Sequence, residues 1–144
     1  MEIKYSITKL NETRYSLEMP FGAESPAKQD IMFSFRHRII ADKESSSIII
    51  EIIVFVNDKK NGLTLAENGV TAVFNVDPFD VVVVATDEDG IKVSEPRLMD
   101  TFINITIGAL RGVLAKNFKQ TSLEGCILPL IPMEEVRRMF TTKK

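Results

Sequence analysis

The sequence predicts one α+β domain over residues 1–144: a four-stranded antiparallel sheet (meander) with a long helix and a short C-terminal helix packed on one face. Three observations carry this expectation. The first half consists of segments that alternate apolar and polar residues between turn signals. Residues 97–116 switch to helical periodicity. A proline-punctuated apolar segment and a short charged helix then close the chain. At 144 residues the chain can bury a real core within a single domain.

The first strand sets Ile3, Tyr5 and Ile7 against Lys4, Ser6 and Thr8, and the alternation resumes with Tyr15, Leu17 and Met19. Residues 11–13 between them read as a bulge or bend in one long strand. Residues 20–30, with Gly22 and Pro26, read as a loop. Residues 31–41 form a strand with Phe33, Phe35, His37 and Ile39 on one face and Ser34, Arg36 and Arg38 on the other. Ser45-Ser46-Ser47 marks a turn. Residues 48–57 are the strongest strand, β-branched and apolar on both faces except at Glu51. Residues 58–62 turn through Asn-Gly. Residues 63–76 form the fourth strand, with Gly69 at a bulge or kink.

Residues 79–85 fit a short strand or a helical turn, and residues 87–90 fit a turn. Ser94 is placed to cap the long helix, with Pro96 just inside it. That helix carries two apolar stripes. Leu98, Phe102, Ile105, Ala109 and Val113 form one; Met99, Ile103, Ile107, Leu110 and Leu114 form a second, about 100° further round. Each large aliphatic residue gains roughly 1.5–3 kcal/mol on burial, so the second stripe must meet this chain, another copy or a client. It is assigned here to an oligomer interface. Gly108 and Gly112 suit a close approach of the helix to a neighbour. Residues 127–132 are extended and apolar. Residues 133–140 form a helix with Glu134 and Glu135 first and Arg137 and Arg138 last, the charge order that complements its dipole.

Composition narrows the function. A net charge of −2 argues against a nucleic-acid partner. No signal peptide is read at the N-terminus, and the apolar runs are short or interrupted by Asp100, Asn104 and Arg111, so no membrane partner and a cytoplasmic location are expected. The single cysteine, Cys126, forms no internal disulfide, and with one histidine, His37, it makes no zinc site. Placing Gly90 at the sixth position of a calcium loop would put Ala85 and Pro96 at ligand positions, so that match fails. No phosphate-binding glycine pattern is present. No metal, no cofactor and no enzymatic activity are expected; an enzyme would have to work through carboxylates.

Four segments, in order, carry a family resemblance. They are Tyr-Ser-Ile-Thr-Lys-Leu-Asn-Glu-Thr-Arg-Tyr-Ser-Leu-Glu-Met-Pro at 5–20, Leu-Ala-Glu-Asn-Gly-Val-Thr-Ala-Val-Phe at 65–74, Ala109-Leu110-Arg111-Gly112, and Leu128-Pro129. Their order and spacing over nearly the whole chain resemble the SecB family of export chaperones. The resemblance implies a non-enzymatic chaperone, a dimer of dimers, with an unfolded polypeptide client held in apolar grooves. It places the grooves at Phe21, Ile50, Ile52 and Val54, with Leu128, Leu130 and Ile131 nearby. It also implies a partner-binding sheet face at Arg14, Glu18, Leu65 and Glu67, through which export chaperones dock the translocase motor. Arg14 stands there in place of an acid, and the acidic C-terminal tail of export chaperones is missing. Both departures disfavour the motor and point to a divergent, solitary member with a dedicated client, such as an antitoxin. The alternative is an adaptor that binds one folded partner through the sheet face.

Overall fold

The computed structural model describes residues 2–19, 24–87 and 90–140. Four long strands come first: β1 (Lys4–Leu17), β2 (Ile31–Asp42), β3 (Ser47–Asp58) and β4 (Thr64–Asp77). One helical turn, α1 (Phe79–Val82), leads into a hairpin of β5 (Val83–Asp87) and β6 (Gly90–Val93). The helices α2 (Pro96–Asn117) and α3 (Met133–Phe140) follow.

The four-stranded sheet is antiparallel throughout, with order β1-β4-β3-β2. It is therefore not a meander. Only β2, β3 and β4 are joined by hairpins. Residues 18–30 are too long a connection for a hairpin, and β1 pairs instead with β4, from Lys4 opposite Asp77 to Leu17 opposite Ala66, in Greek-key fashion.

The double-sided apolar character of β3 follows from its central place. Ile48, Ile50, Ile52, Val54 and Val56 alternate onto the face under α2 and have no accessible surface. On β4, Ala66, Val70, Ala72, Phe74 and Val76 do the same. Phe102 of α2 lies flat on Phe74, with ring centroids 4.1 Å apart and planes 9° apart, and Tyr5 of β1 meets Phe102 edge-on at 5.4 Å.

A buried polar pin fixes the far end of α2. The Asn68 amide, fully enclosed, donates to Glu12 Oε2 (2.8 Å) and to the Arg14 carbonyl (2.7 Å). The Asn117 amide donates to the same Glu12 oxygen (2.6 Å) and to Asn68 Oδ1 (3.0 Å). Every buried donor here finds an acceptor, which is the condition for a polar group to sit in a core without penalty.

The bend expected at residues 11–13 is real. The register of β1 slips between Glu12 and Arg14, and again between Ile7 and Lys9. At the first slip β4 presents Gly69. A Cβ there would lie 2.9 Å from Thr13 Oγ1 and 3.0 Å from Ile53 Cγ1. Residues 79–85 are both things expected of them: a helical turn, then a strand. Ser94 is not the helix cap. Glu95 holds that position without a side-chain hydrogen bond, and Pro96 occupies the first turn. α2 is long and apolar enough to cross a membrane by length and composition; here Leu98, Phe102, Ile103, Ile107, Leu110 and Leu114 are buried in the core, while Ile105 is exposed.

Candidate functional site

β2 is an edge strand, and only one flank of it is satisfied. Its pairing with β3 uses half of its backbone groups; every second residue directs its N–H and C=O away from the sheet. Its odd-numbered side chains point to the helix side. Ile31, Phe33, Phe35, His37 and Ile39 are half-buried there, in contrast to the sealed residues of β3. The cover over this strand includes the segment 127–132 and α3, and β6 also lies close to it. Phe140 docks on His37 (centroids 4.7 Å apart) and Phe35 (6.4 Å).

The cover does not close. One recess of about 460 Å³ lies between Ile31 and Phe33 on one side and Leu123, Cys126, Ile127 and Pro129 on the other. A second, of about 690 Å³, continues past Phe35 and His37 under Leu128, Ile131 and Met139. The two share Ile31, Phe33 and Pro129, so they form one groove along β2. Each is in the size range that accepts several side chains or a short peptide segment. The rim is mixed in charge, with Lys28 and Glu124 at one end and Lys59 and Glu135 at the other.

Two ionisable groups sit in the groove. Burial holds the His37 imidazole below its ordinary range. Burial also pushes the Cys126 thiol up, against a smaller opposing pull from Lys28, so Cys126 remains a thiol at neutral pH and is a poor nucleophile. Among the described residues no group of three or more His, Cys, Asp or Glu is placed to hold a metal ion.

The structure redistributes the residues expected in a groove. Ile50, Ile52 and Val54 are sealed beneath α2 and cannot touch a client, because β3 is central and its inner face is fully covered. Leu128 lies at the groove wall but is itself buried, and Ile131 lines the second recess. Leu130 points away from the wall and is 84% exposed. Phe21 lies outside the described residues. The groove residues that sequence reasoning missed are Ile31, Phe33 and Phe35. Their signal was present: a strand that is apolar on one face and charged on the other is an edge or surface strand.

The second helix stripe is also reassigned. Ile103, Ile107, Leu110 and Leu114 are buried within this one chain, and Met99 packs partly buried against the same core. The sheet satisfies the stripe, so it is not free for an oligomer interface. What remains open is the flank of α2 beside β1. There Ile105 is 41% exposed, in line with the half-buried Ala109 and Val113. Tyr5, Ile7 and Leu10 on the same side of β1 are 50%, 45% and 49% exposed.

The four sheet-face residues do come together. Arg14 Nη1 contacts Glu67 Oε1 at 2.6 Å. The Glu18 amide donates to the Leu65 carbonyl at 2.7 Å, and Ser16 Oγ donates to Glu18 Oε2. Gly69, opposite Arg14, leaves room for the guanidinium stem to lean toward Glu67.

No protein-family model matches the chain, and no curated protein matches its sequence. Among solved structures the chain is similar to the Mycobacterium tuberculosis SecB-like chaperone Rv1957, in complex with a ChAD peptide from the Rv1956 HigA1 antitoxin. The two share 11% sequence identity over 89% of this chain and 91% of that one, with a TM-score of 0.53. The fold is therefore SecB-like: a four-stranded antiparallel sheet with helices packed on one face.

Proposed function

We propose that this SecB-like chain is a non-enzymatic, cytoplasmic polypeptide-binding protein that holds an extended, unfolded segment in the groove beside β2. The observation that carries the reading is the pair of adjoining apolar recesses at Ile31, Phe33 and Pro129, next to an unpaired strand edge. Apolar walls give affinity with little sequence preference, and the free edge can offer main-chain hydrogen bonds to an extended chain. The peptide bound by the structural neighbour supports a polypeptide client, and its origin supports a dedicated one such as an antitoxin.

The protein works as a homo-oligomer in this reading, as a dimer or a dimer of dimers. The support is the exposure of four large apolar side chains, Tyr5, Ile7 and Leu10 of β1 and Ile105 of α2, residues of the kind that gather at an interface. Docking of a translocase motor on the sheet face is disfavoured. Glu67 is already neutralised by Arg14, which removes the carboxylate that such a partner would need.

The test is binding of a labelled, permanently unfolded polypeptide, with suppression of its aggregation, by the wild-type protein and by Phe33→Ser. Stoichiometric binding that Phe33→Ser weakens at least about tenfold is expected, from the roughly 1.5–3 kcal/mol a buried aromatic contributes. Absence of binding to any unfolded chain would overturn the reading and favour the adaptor of one folded partner.

A further inference from the structure

Among the described residues the wall's main chain has one main-chain partner, at its very end, where the Pro132 carbonyl accepts from the Val136 N–H at 3.0 Å. Residues 127–132 form no regular element, and Pro129 and Pro132 have no N–H to donate. The wall is held from behind by α2. Arg111 Nε donates to the Leu128 carbonyl at 2.7 Å, and its Nη2 donates to the Pro129 carbonyl at 2.9 Å. Pro129 is the wall residue common to both recesses. Arg111 makes no ion pair with a carboxylate among the described residues, so its charge is spent on these two carbonyls. The same side of α2 continues the attachment: the Asn104 amide reaches Met133 Sδ at 3.2 Å, and Asp100 accepts from Arg137 at 2.8 Å. Positions 100, 104 and 111 fall on one line of the helix, which lies between the sheet-facing side and solvent.

We propose that Arg111 is the positioning residue of the groove: by clamping the Leu128 and Pro129 carbonyls to α2 it fixes how far Pro129 stands from Phe33, and so the width open to a polypeptide. This inference rests on the polypeptide-binding reading above. A fork of two charge-assisted bonds to successive carbonyls defines both distance and tilt, which a lysine point charge cannot reproduce. Arg111 lies behind the wall and lines neither recess, so it acts through Pro129 and not by touching the client.

The test compares wild type, Arg111→Met and Arg111→Lys for affinity toward one labelled unfolded peptide, with limited proteolysis and amide hydrogen exchange followed along the chain. Methionine keeps the aliphatic stem and removes both bonds. Loss of two charge-assisted bonds predicts peptide binding weakened on the order of tenfold or more in Arg111→Met, with Arg111→Lys recovering only part. Cleavage within residues 127–131 by a broad-specificity protease is expected to speed up while the amides of β3 and β4 keep their protection against exchange, a pattern that a global loss of stability would not give. Equal affinity of wild type and Arg111→Met would overturn the proposal, as would uniform loss of protection across the sheet. Failure of the wild type itself to bind peptide would instead strike the polypeptide-binding reading.

Discussion

Leu110→Ala separates a core residue from an interface residue. Leu110 has no accessible surface in the single chain, enclosed between α2 and the sheet. The substitution deletes three carbons, worth about 0.8 kcal/mol each in transfer terms, or about 2.4 kcal/mol together. The cavity left behind adds to this, and the total falls in the range of about 2–5 kcal/mol. That is a large part of the roughly 5–15 kcal/mol that holds a domain together. Urea unfolding followed by circular dichroism, at two protein concentrations a hundredfold apart, measures the cost. A core role predicts the same difference between mutant and wild type at both concentrations. An interface role would make the loss grow on dilution, because association stabilises by mass action. A cost under about 1 kcal/mol, or one that appears only on dilution, would refute the packing described for α2.

Two further outcomes follow from other parts of the molecule. Gly69→Ala is expected to cost about 1–3 kcal/mol in urea unfolding, because the added methyl overpacks Thr13 and Ile53. Thr13→Ala in the same chain should return part of that loss, since it removes the nearer atom. His37 predicts a pH effect of definite sign. Its folded pKa lies below the unfolded value of 6.5, so the unfolded chain binds more protons just below that pH. Stability is therefore fully present above about pH 6.5 and falls as the pH drops through 6.5 toward the lowered folded value. Thermal unfolding of His37→Gln between pH 7.5 and 5 should show a flatter profile than wild type.

Local periodicity made the strands legible, and pairing order was not written in it. The alternation at Tyr15, Leu17 and Met19, or at Phe33 and Phe35, shows a half-buried strand wherever it sits in a sheet. The choice of β4 over β2 as partner for β1 depends on the long connection at 18–30 and on the match between the bulge at Thr13 and Gly69, which is a property of two strands together. The same distinction explains the site. Ile50, Ile52 and Val54 are the most apolar residues of the sheet, and for that reason they are sealed. A surface that must accept a ligand belongs to residues whose cover is incomplete, such as Phe33 at an edge. Arg111 was legible as a charge interrupting an apolar helix and as part of the segment that carries the family resemblance; that its partners are main-chain carbonyls seventeen and eighteen positions later could come only from the folded chain.

The pairing of β1 with β4 also sets a schedule for synthesis. Lys4 leaves the ribosome long before its partner Asp77 exists. The hairpins of β2, β3 and β4 close over short loops, whereas β1 must wait for a contact of high sequence separation. Throughout that interval Tyr5, Ile7 and Leu10 belong to an unpaired strand, open to capture by other nascent chains. A protein proposed to shelter unfolded segments thus begins its own life with one.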